Sequence, residues 1–357
     1  MNSKRILIWT TGIDDVIAGR GLVGGLTVQL MLWAKVFHEN NWDVYSFTIH
    51  RNKHKSFLMG TKYLYYRRVK ILNILFENFF TVIYLLKVKP TVIITRGASR
   101  KLLALSLASK LFRFKLIHML ASDSDVQNGQ ELIQRPWDKK LYRLGFIRCS
   151  YIVVQNHLQK TLVDKQNPKA KTLLIPNVWP QSNEYKIKED LIIWVANFRE
   201  LKRPMLFLEL AKRLPQQQFI MVGDGLDKLL YNSCEQVAKI IPNLVFKGAQ
   251  SLEETNLLFS KCKLFICTSE IEGFPNTFLQ AWCNAVPIIS SFDPSDIIKK
   301  ENLGLIFSTV DEAIEAIHFL NNRDEYEMVK NNIINYFYKS HNSQKQYNKL
   351  VAFFNIC

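Results

Sequence analysis

This sequence has little that would bind a metal or cross-link a fold. Six cysteines occur in 357 residues, at 149, 234, 262, 267, 283 and 357, with no Cys-x-x-Cys pair and no metal-ligand spacing. That pattern argues against a zinc module or a disulfide scaffold, and predicts reduced, largely buried thiols in the cytoplasm. No segment repeats at a fixed period and none is of low complexity, which excludes a solenoid and a disordered tail. Lys4 and Arg5 precede only four apolar residues, too few for a secretory-signal core, so the start reads as a first strand. The apolar run 71–86 is sixteen residues long and is interrupted by Asn73, Glu77 and Asn78, too short and too polar to span a bilayer. Positive charge is missing from the second half. Residues 181–357 carry 19 Lys+Arg against 21 Asp+Glu, a net of −2, whereas residues 1–180 carry 28 against 10, a net of +18.

What is present fits two α/β domains. The length exceeds the usual limit of a single core, and 48% hydrophobic residues can fill two. Short apolar runs such as Arg5-Ile-Leu-Ile-Trp9, Thr91-Val-Ile-Ile94 and Leu116-Ile-His-Met119 alternate with helical stretches, the pattern of parallel sheets covered by helices. The polar, proline-bearing stretch 179–185 is the candidate linker.

The densest chemical signal is Thr268-Ser-Glu-Ile-Glu-Gly-Phe-Pro-Asn-Thr-Phe-Leu-Gln-Ala-Trp282. The preceding run 263–267 reads as a buried strand, and Pro275 suits the first position of a helix. Free amides around Asn276 and Thr277 at that helix start would favour a phosphate, and Glu272 would sit at the strand's carboxyl end, where open α/β sheets place ligands. Gln280 lies about two helical turns further on. An ordinary strand-turn-helix with a solvated Glu272 accounts for this segment taken alone equally well.

The segment resembles the donor-site signature of the retaining family-four glycosyltransferases, glycosyl transferases group 1, which have the GT-B fold. There a glutamate, a Gly-Phe-Gly or Gly-Phe-Pro, and a second glutamate eight positions on bind a nucleotide sugar; here the second position is Gln280. Other matches follow in the family's order. Ile192-Ile-Trp-Val-Ala-Asn-Phe-Arg-Glu-Leu-Lys202 resembles the first strand of the C-terminal domain and its diphosphate-binding turn. Phe219-Ile-Met-Val-Gly-Asp-Gly225 resembles the strand and turn that approach the nucleotide. Tyr151-Ile-Val-Val-Gln-Asn156, Leu174-Ile-Pro-Asn177 and the Gly24-Gly25 pair match N-terminal elements. The resemblance covers about residues 20 to 310.

It implies two Rossmann-like domains facing each other across a cleft. An acceptor-binding domain would span 1–178, with a C-terminal helix at about 338–357 packing back on it, and a nucleotide-sugar domain would span 185–337. The implied catalytic groups are Glu272 on the donor sugar hydroxyls, Arg199 and Lys202 on the diphosphate, and His118 near the donor sugar and reacting centre. The implied donor contacts are Gly24, Gly25, Gly223, Asp224, Gly225, Gly273, Phe274, Pro275, Asn276 and Thr277, with Gln280 at the ribose. Arg96 and Asp123, at strand ends of the first domain, are acceptor-side candidates. A histidine in a strand is also a common packed core residue, and Asp123 and Asp125 also suit caps. Two cations on one turn neutralise a diphosphate without metal, so no metal and no cofactor are expected, only a nucleotide-diphosphate sugar as substrate, with a UDP-sugar the expected donor.

Charge points to the partner. Arg51, Lys53, Lys55, Lys62, Arg67, Arg68 and Lys70, interleaved with Phe57, Tyr63, Tyr65 and Tyr66, lead directly into the apolar run 71–86. Such a segment suits an anionic membrane surface; a solvated loop before a core helix is the plainer alternative. Nothing resembles a nucleic-acid module, so no nucleic-acid partner is expected. The expected enzyme is a retaining glycosyltransferase on the inner face of the cell membrane, acting on a lipid-linked or growing surface glycan in bacterial capsule, O-antigen or exopolysaccharide synthesis. A sugar-nucleotide epimerase of the same fold and a non-catalytic membrane- or glycan-binding scaffold remain the alternatives.

Overall fold

The computed structural model describes residues 4–17, 24–49, 60–65, 73–182, 189–225, 227–270 and 274–356, with the side chains of 73–78 left out. It divides into two compact units, Met1–Val178 with Ser343–Cys357, and Trp179–Asn342. Both are doubly wound α/β units, the class the alternating strands predict.

In the first unit, β1 (Arg5–Thr11), β2 (Asp43–Thr48), β3 (Thr61–Tyr65), β4 (Val92–Arg96), β5 (Lys115–Met119), β6 (Tyr151–Val154) and β7 (Lys171–Leu174) form one parallel sheet in the order β3-β2-β1-β4-β5-β6-β7. In the second, β8 (Leu191–Val195), β9 (Gln218–Val222), β10 (Leu244–Gly248), β11 (Leu264–Cys267), β12 (Ile288–Ser290) and β13 (Gly304–Ile306) are parallel in the order β10-β9-β8-β11-β12-β13. Helices on both faces make the central strands continuously apolar rather than alternating. Ile6, Leu7 and Ile8 of β1 and all four residues of β11 are buried.

Strand order reverses between β1 and β4 in one sheet and between β8 and β11 in the other. At such a reversal the connecting helices leave to opposite faces, and a crevice opens at the strands' carboxyl ends.

The helix Ser343–Phe354 belongs to the first unit. It buries Tyr347, Leu350 and Phe354; the Trp42 indole N–H donates to Tyr347 Oη at 2.9 Å, and Lys349 Nζ donates to the Leu174 carbonyl at 2.8 Å. The helix Arg323–Ser340 before it stays with the second unit. Among the described residues no helix is long and apolar enough to cross a membrane.

Candidate active site

In the second unit, two of the motifs meet at the reversal point. The chain leaving β8 runs through Ala196–Phe198 into a single 3-10 turn, Glu200–Lys202, whose N-cap is Arg199; the Lys202 amide donates to the Arg199 carbonyl at 2.9 Å. The Arg199 side chain is exposed and makes no hydrogen bond or ion pair among the described residues. The chain leaving β11 runs through Thr268 and Ser269 toward the helix Asn276–Trp282.

Thr268 fastens the two together. It is buried, its hydroxyl accepts from Trp194 Nε1 at 2.8 Å and donates to the Lys202 carbonyl at 2.5 Å, and its own carbonyl accepts from Arg203 Nε at 2.8 Å. The Glu270 amide adds a bond to the Leu201 carbonyl at 2.8 Å. Arg203 adopts φ +46, left-handed backbone that an L residue holds only when its surroundings fix it, and the Thr268 bond is one such constraint. Sequence reading passed over Thr268 and Arg203. The signal available was a threonine directly after the strand, short enough to bond backbone on either side.

The third motif lies beside them. Phe198 forms an isolated bridge with Gly225, its amide donating to the Asp224 carbonyl at 2.8 Å. A Cβ on Gly223 would lie 1.8 Å from the Ala196 carbonyl oxygen, and one on Gly225 2.6 Å from Tyr231 Cβ. Both glycines therefore let neighbouring protein approach, a requirement separate from any ligand. Asp224 accepts from the Gly225 amide at 2.7 Å and sits 3.7 Å from Lys228.

Glu272 and Gly273 lie outside the described residues. Pro275 is the N-cap, with ψ 128, rather than the first helical residue; its carbonyl accepts from the Phe278 amide at 3.2 Å, so the helix begins one residue later than expected. Phe274, Asn276 and Thr277 are half-buried. Gln280 is only 4% exposed, and its amide nitrogen donates to Asn256 Oδ1, 2.8 Å away on the helix Leu252–Lys261.

The first unit uses its strand ends differently. Gly24 caps the 15-residue helix Gly25–Glu39 without a side-chain bond, and a Cβ there would meet nothing within 4 Å. The expectation that His118 reaches the donor sugar does not hold. Its ring has no exposure, lies 3.0 Å from Thr95 Oγ1 through Nδ1 and 3.2 Å from Tyr142 Oη through Nε2, and Tyr142 Oη donates to the Asp125 carbonyl at 2.9 Å. Since the phenol donates onward, Nε2 carries the proton and Nδ1 accepts from Thr95. Burial, and then the Arg96 charge, pull His118 down to about 3, so it is neutral near pH 7.

Arg96 is half-buried. Nη2 donates to Asn177 Oδ1, while Nε is buried without a partner among the described residues. Burial draws it down to about 10, against the pull of Asp125, and it stays cationic. Asp125 accepts from the amides of Ala98 at 3.1 Å, Ala121 at 2.6 Å and Ser122 at 3.2 Å, which makes it a cap. Asp123 Oδ1 accepts from Asn156 Nδ2 at 3.0 Å and Gln159 Nε2 at 2.8 Å.

Of the basic segment, only Lys62, Tyr63 and Tyr65, on β3, are described; Arg51, Lys53, Lys55, Phe57, Tyr66, Arg67, Arg68 and Lys70 lie outside. The apolar run after it forms the helix Asn73–Val88. That helix turns an apolar stripe outward, with Phe79 60%, Val82 40%, Ile83 38% and Leu86 55% exposed at i, i+3, i+4 and i+7.

The turn after β8, with an exposed arginine and a neighbouring lysine held against the segment after β11, is suited to a dianionic phosphate ligand. Residues 177–336 match the family model of glycosyl transferases group 1. The chain is also 30% identical over 120 residues to the Vi polysaccharide biosynthesis protein VipC/TviE of Salmonella typhi, covering 32% of this chain and 20% of that protein. It is 28% identical over 186 residues to alpha-galactosylglucosyldiacylglycerol synthase of Streptococcus pneumoniae, covering 46% of this chain and 50% of that enzyme. The matches thus span half or less of these two relatives.

Among solved structures, Anabaena Alr3699/HepE in complex with UDP and glucose aligns with TM-score 0.68 at 14% identity, over 98% of this chain and 99% of that one. UDP-GlcNAc 2-epimerase from Methanocaldococcus jannaschii aligns with TM-score 0.60 at 13% identity, over 90% of this chain and 94% of that one. The fold is GT-B, with two Rossmann-like units, and one of the proteins that share it is an epimerase. The family match, which spans the turn 199–203, Gly223–Gly225 and 268–280, supports a group 1 glycosyltransferase.

Proposed function

We propose that the protein is a retaining, metal-independent glycosyltransferase that moves a sugar from a UDP-sugar to a lipid-linked or growing surface glycan. The observation that carries this is the Thr268 tie, which holds the Arg199–Lys202 turn against the segment leading to Phe274 and Pro275 at the reversal of the second sheet. Arg199 and Lys202 meet the diphosphate and stabilise the charge that grows on it as the bond to the sugar's anomeric carbon breaks. Amides at Asn276 and Thr277 add donors, and Glu272 takes the sugar's hydroxyls. Gln280, bonded to Asn256, offers the ribose an amide in place of a carboxylate. The acceptor hydroxyl oxygen bonds to the anomeric carbon on the face the diphosphate leaves and gives its proton to the departing diphosphate oxygen, which keeps the anomeric configuration.

The acceptor side belongs to the first unit. Arg96, a desolvated cation whose hydrogen-bond partner is the neutral Asn177, is suited to an acceptor phosphate. The outward stripe Phe79, Val82, Ile83 and Leu86, in the half of the chain with a net charge of +18, supports peripheral binding to an anionic membrane at the cytoplasmic face. Polysaccharide and glycolipid synthesis, named for the two relatives, is the matching setting.

The test is transfer from a panel of radiolabelled UDP-sugars to a bacterial lipid extract, with and without a chelator, and the product anomer read by NMR. A retained anomeric configuration unaffected by chelator supports the proposal. Inversion, loss of transfer on chelation, or release of an altered sugar without any acceptor contradicts it.

A further inference from the structure

The two chain crossings between the units are stitched together inside the second unit. Trp179, just after the first crossing, bridges Asn342, just before the second. The Trp179 amide donates to the His341 carbonyl at 2.9 Å, and Asn342 Nδ2 donates to Gln181 Oε1 at 2.8 Å.

The His341 side chain sits in an aromatic box. It has no exposure, and its ring centroid lies 5.4 Å from Phe274 with 33° between the planes, 5.9 Å from Trp282 at 37° and 6.2 Å from Phe337 at 33°. Tyr336 Oη lies 3.3 Å from His341 Nε2. Phe274 also meets the edge of Trp282 at 6.2 Å. A ring that only filled space here would be apolar. An imidazole fills the same slot with one flat face toward Phe274 and a nitrogen within reach of Tyr336, which fixes its rotation.

We infer that His341 is a positioning residue for donor binding: it holds Phe274, and through it the start of the helix Asn276–Trp282, in register with the paired crossing segments. The inference rests on the donor site proposed above. One residue thus joins the crossing segments through its carbonyl and Phe274 through its ring, so a shift of the crossing pair is transmitted to Phe274. Neither Arg199 nor Lys202 is needed for this link.

The test has two readouts on the full chain, using His341→Ala, His341→Phe and Phe274→Ala. The first is hydrogen exchange in peptides covering Phe274 to Leu279, measured without ligand. His341→Ala should speed exchange there by about 10-fold, the value of roughly 1.4 kcal/mol of lost local stability, while His341→Phe, which keeps a flat ring, should restore most of it. The second is calorimetric binding of UDP. His341→Ala and Phe274→Ala should each weaken it by about 5- to 10-fold, and the double variant should be no worse than the weaker single one, because both break one contact.

Unchanged exchange at Phe274 in folded His341→Ala, or additive losses in the double variant, overturns the inference. If the wild type binds no nucleoside diphosphate while exchange responds as expected, the clamp stands and the donor reading falls.

Discussion

The two sheets share one topology and part company at their carboxyl ends. At the β1/β4 reversal and on the neighbouring β5, most polar side chains turn inward: Thr95, His118 and Tyr142 form a chain that ends on the Asp125 carbonyl, and the Asp125 carboxylate takes three amides, while Arg96 Nε keeps no partner among the described residues. At the β8/β11 reversal, Thr268 and the Glu270 amide do the joining, and the Arg199 side chain is left exposed. Topology supplies a crevice in either case. Whether it becomes a ligand site depends on how many of its polar groups are already used within the protein.

Glycine substitutions should break that contrast most strongly. Gly223→Ala places a Cβ against the Ala196 carbonyl, a backbone atom that cannot swing aside, and should cost more than about 3 kcal/mol, read as a large fall in melting temperature. Gly24→Ala, in open space at negative φ, should cost less than about 1 kcal/mol in the same measurement.

Next comes the inward network of the first unit. Because His118 titrates near 3 when folded and near 6.5 when unfolded, the unfolded chain binds a proton below pH 6.5 that the folded one refuses. Stability is therefore lost as pH falls from about 6.5 toward 3. Between pH 7.5 and pH 5 the stability advantage of the wild type over His118→Gln should shrink by about 2 kcal/mol in urea unfolding. A constant difference would mean that His118 is not held neutral by burial.

The smallest effect falls on the outer surface. Phe79→Glu with Leu86→Glu should weaken sedimentation with phosphatidylglycerol vesicles by about 10-fold and leave UDP binding and melting temperature unchanged. Equal binding by wild type and variant would remove this helix from the membrane reading.

The sheets were legible in the sequence because parallel strands buried on both faces are written as short continuous apolar runs, and β11 and β6 appear there almost residue for residue. The pairing of Arg199 with Lys202 on one turn was legible from spacing. The role of His118 was not, since a strand histidine looks the same whether it faces a ligand or a tyrosine; only the position of Tyr142, from a distant helix, decides it. The position of Thr268 after the strand was legible but its partners were not, as Trp194 and Lys202 lie 74 and 66 residues away. The outward apolar stripe could be suspected from composition, but which face of the helix pointed outward depended on packing.

The central claim is that the cations after β8 and the segment after β11 form one nucleoside-diphosphate site. Calorimetric titration of UDP, without added metal, into the wild type and into an Arg199→Ala/Lys202→Ala variant tests it most directly. The account predicts metal-independent binding by the wild type and at least about 100-fold weaker binding by a variant that melts at the same temperature. Equal binding by both proteins, or none by a folded wild type at millimolar UDP, would contradict it.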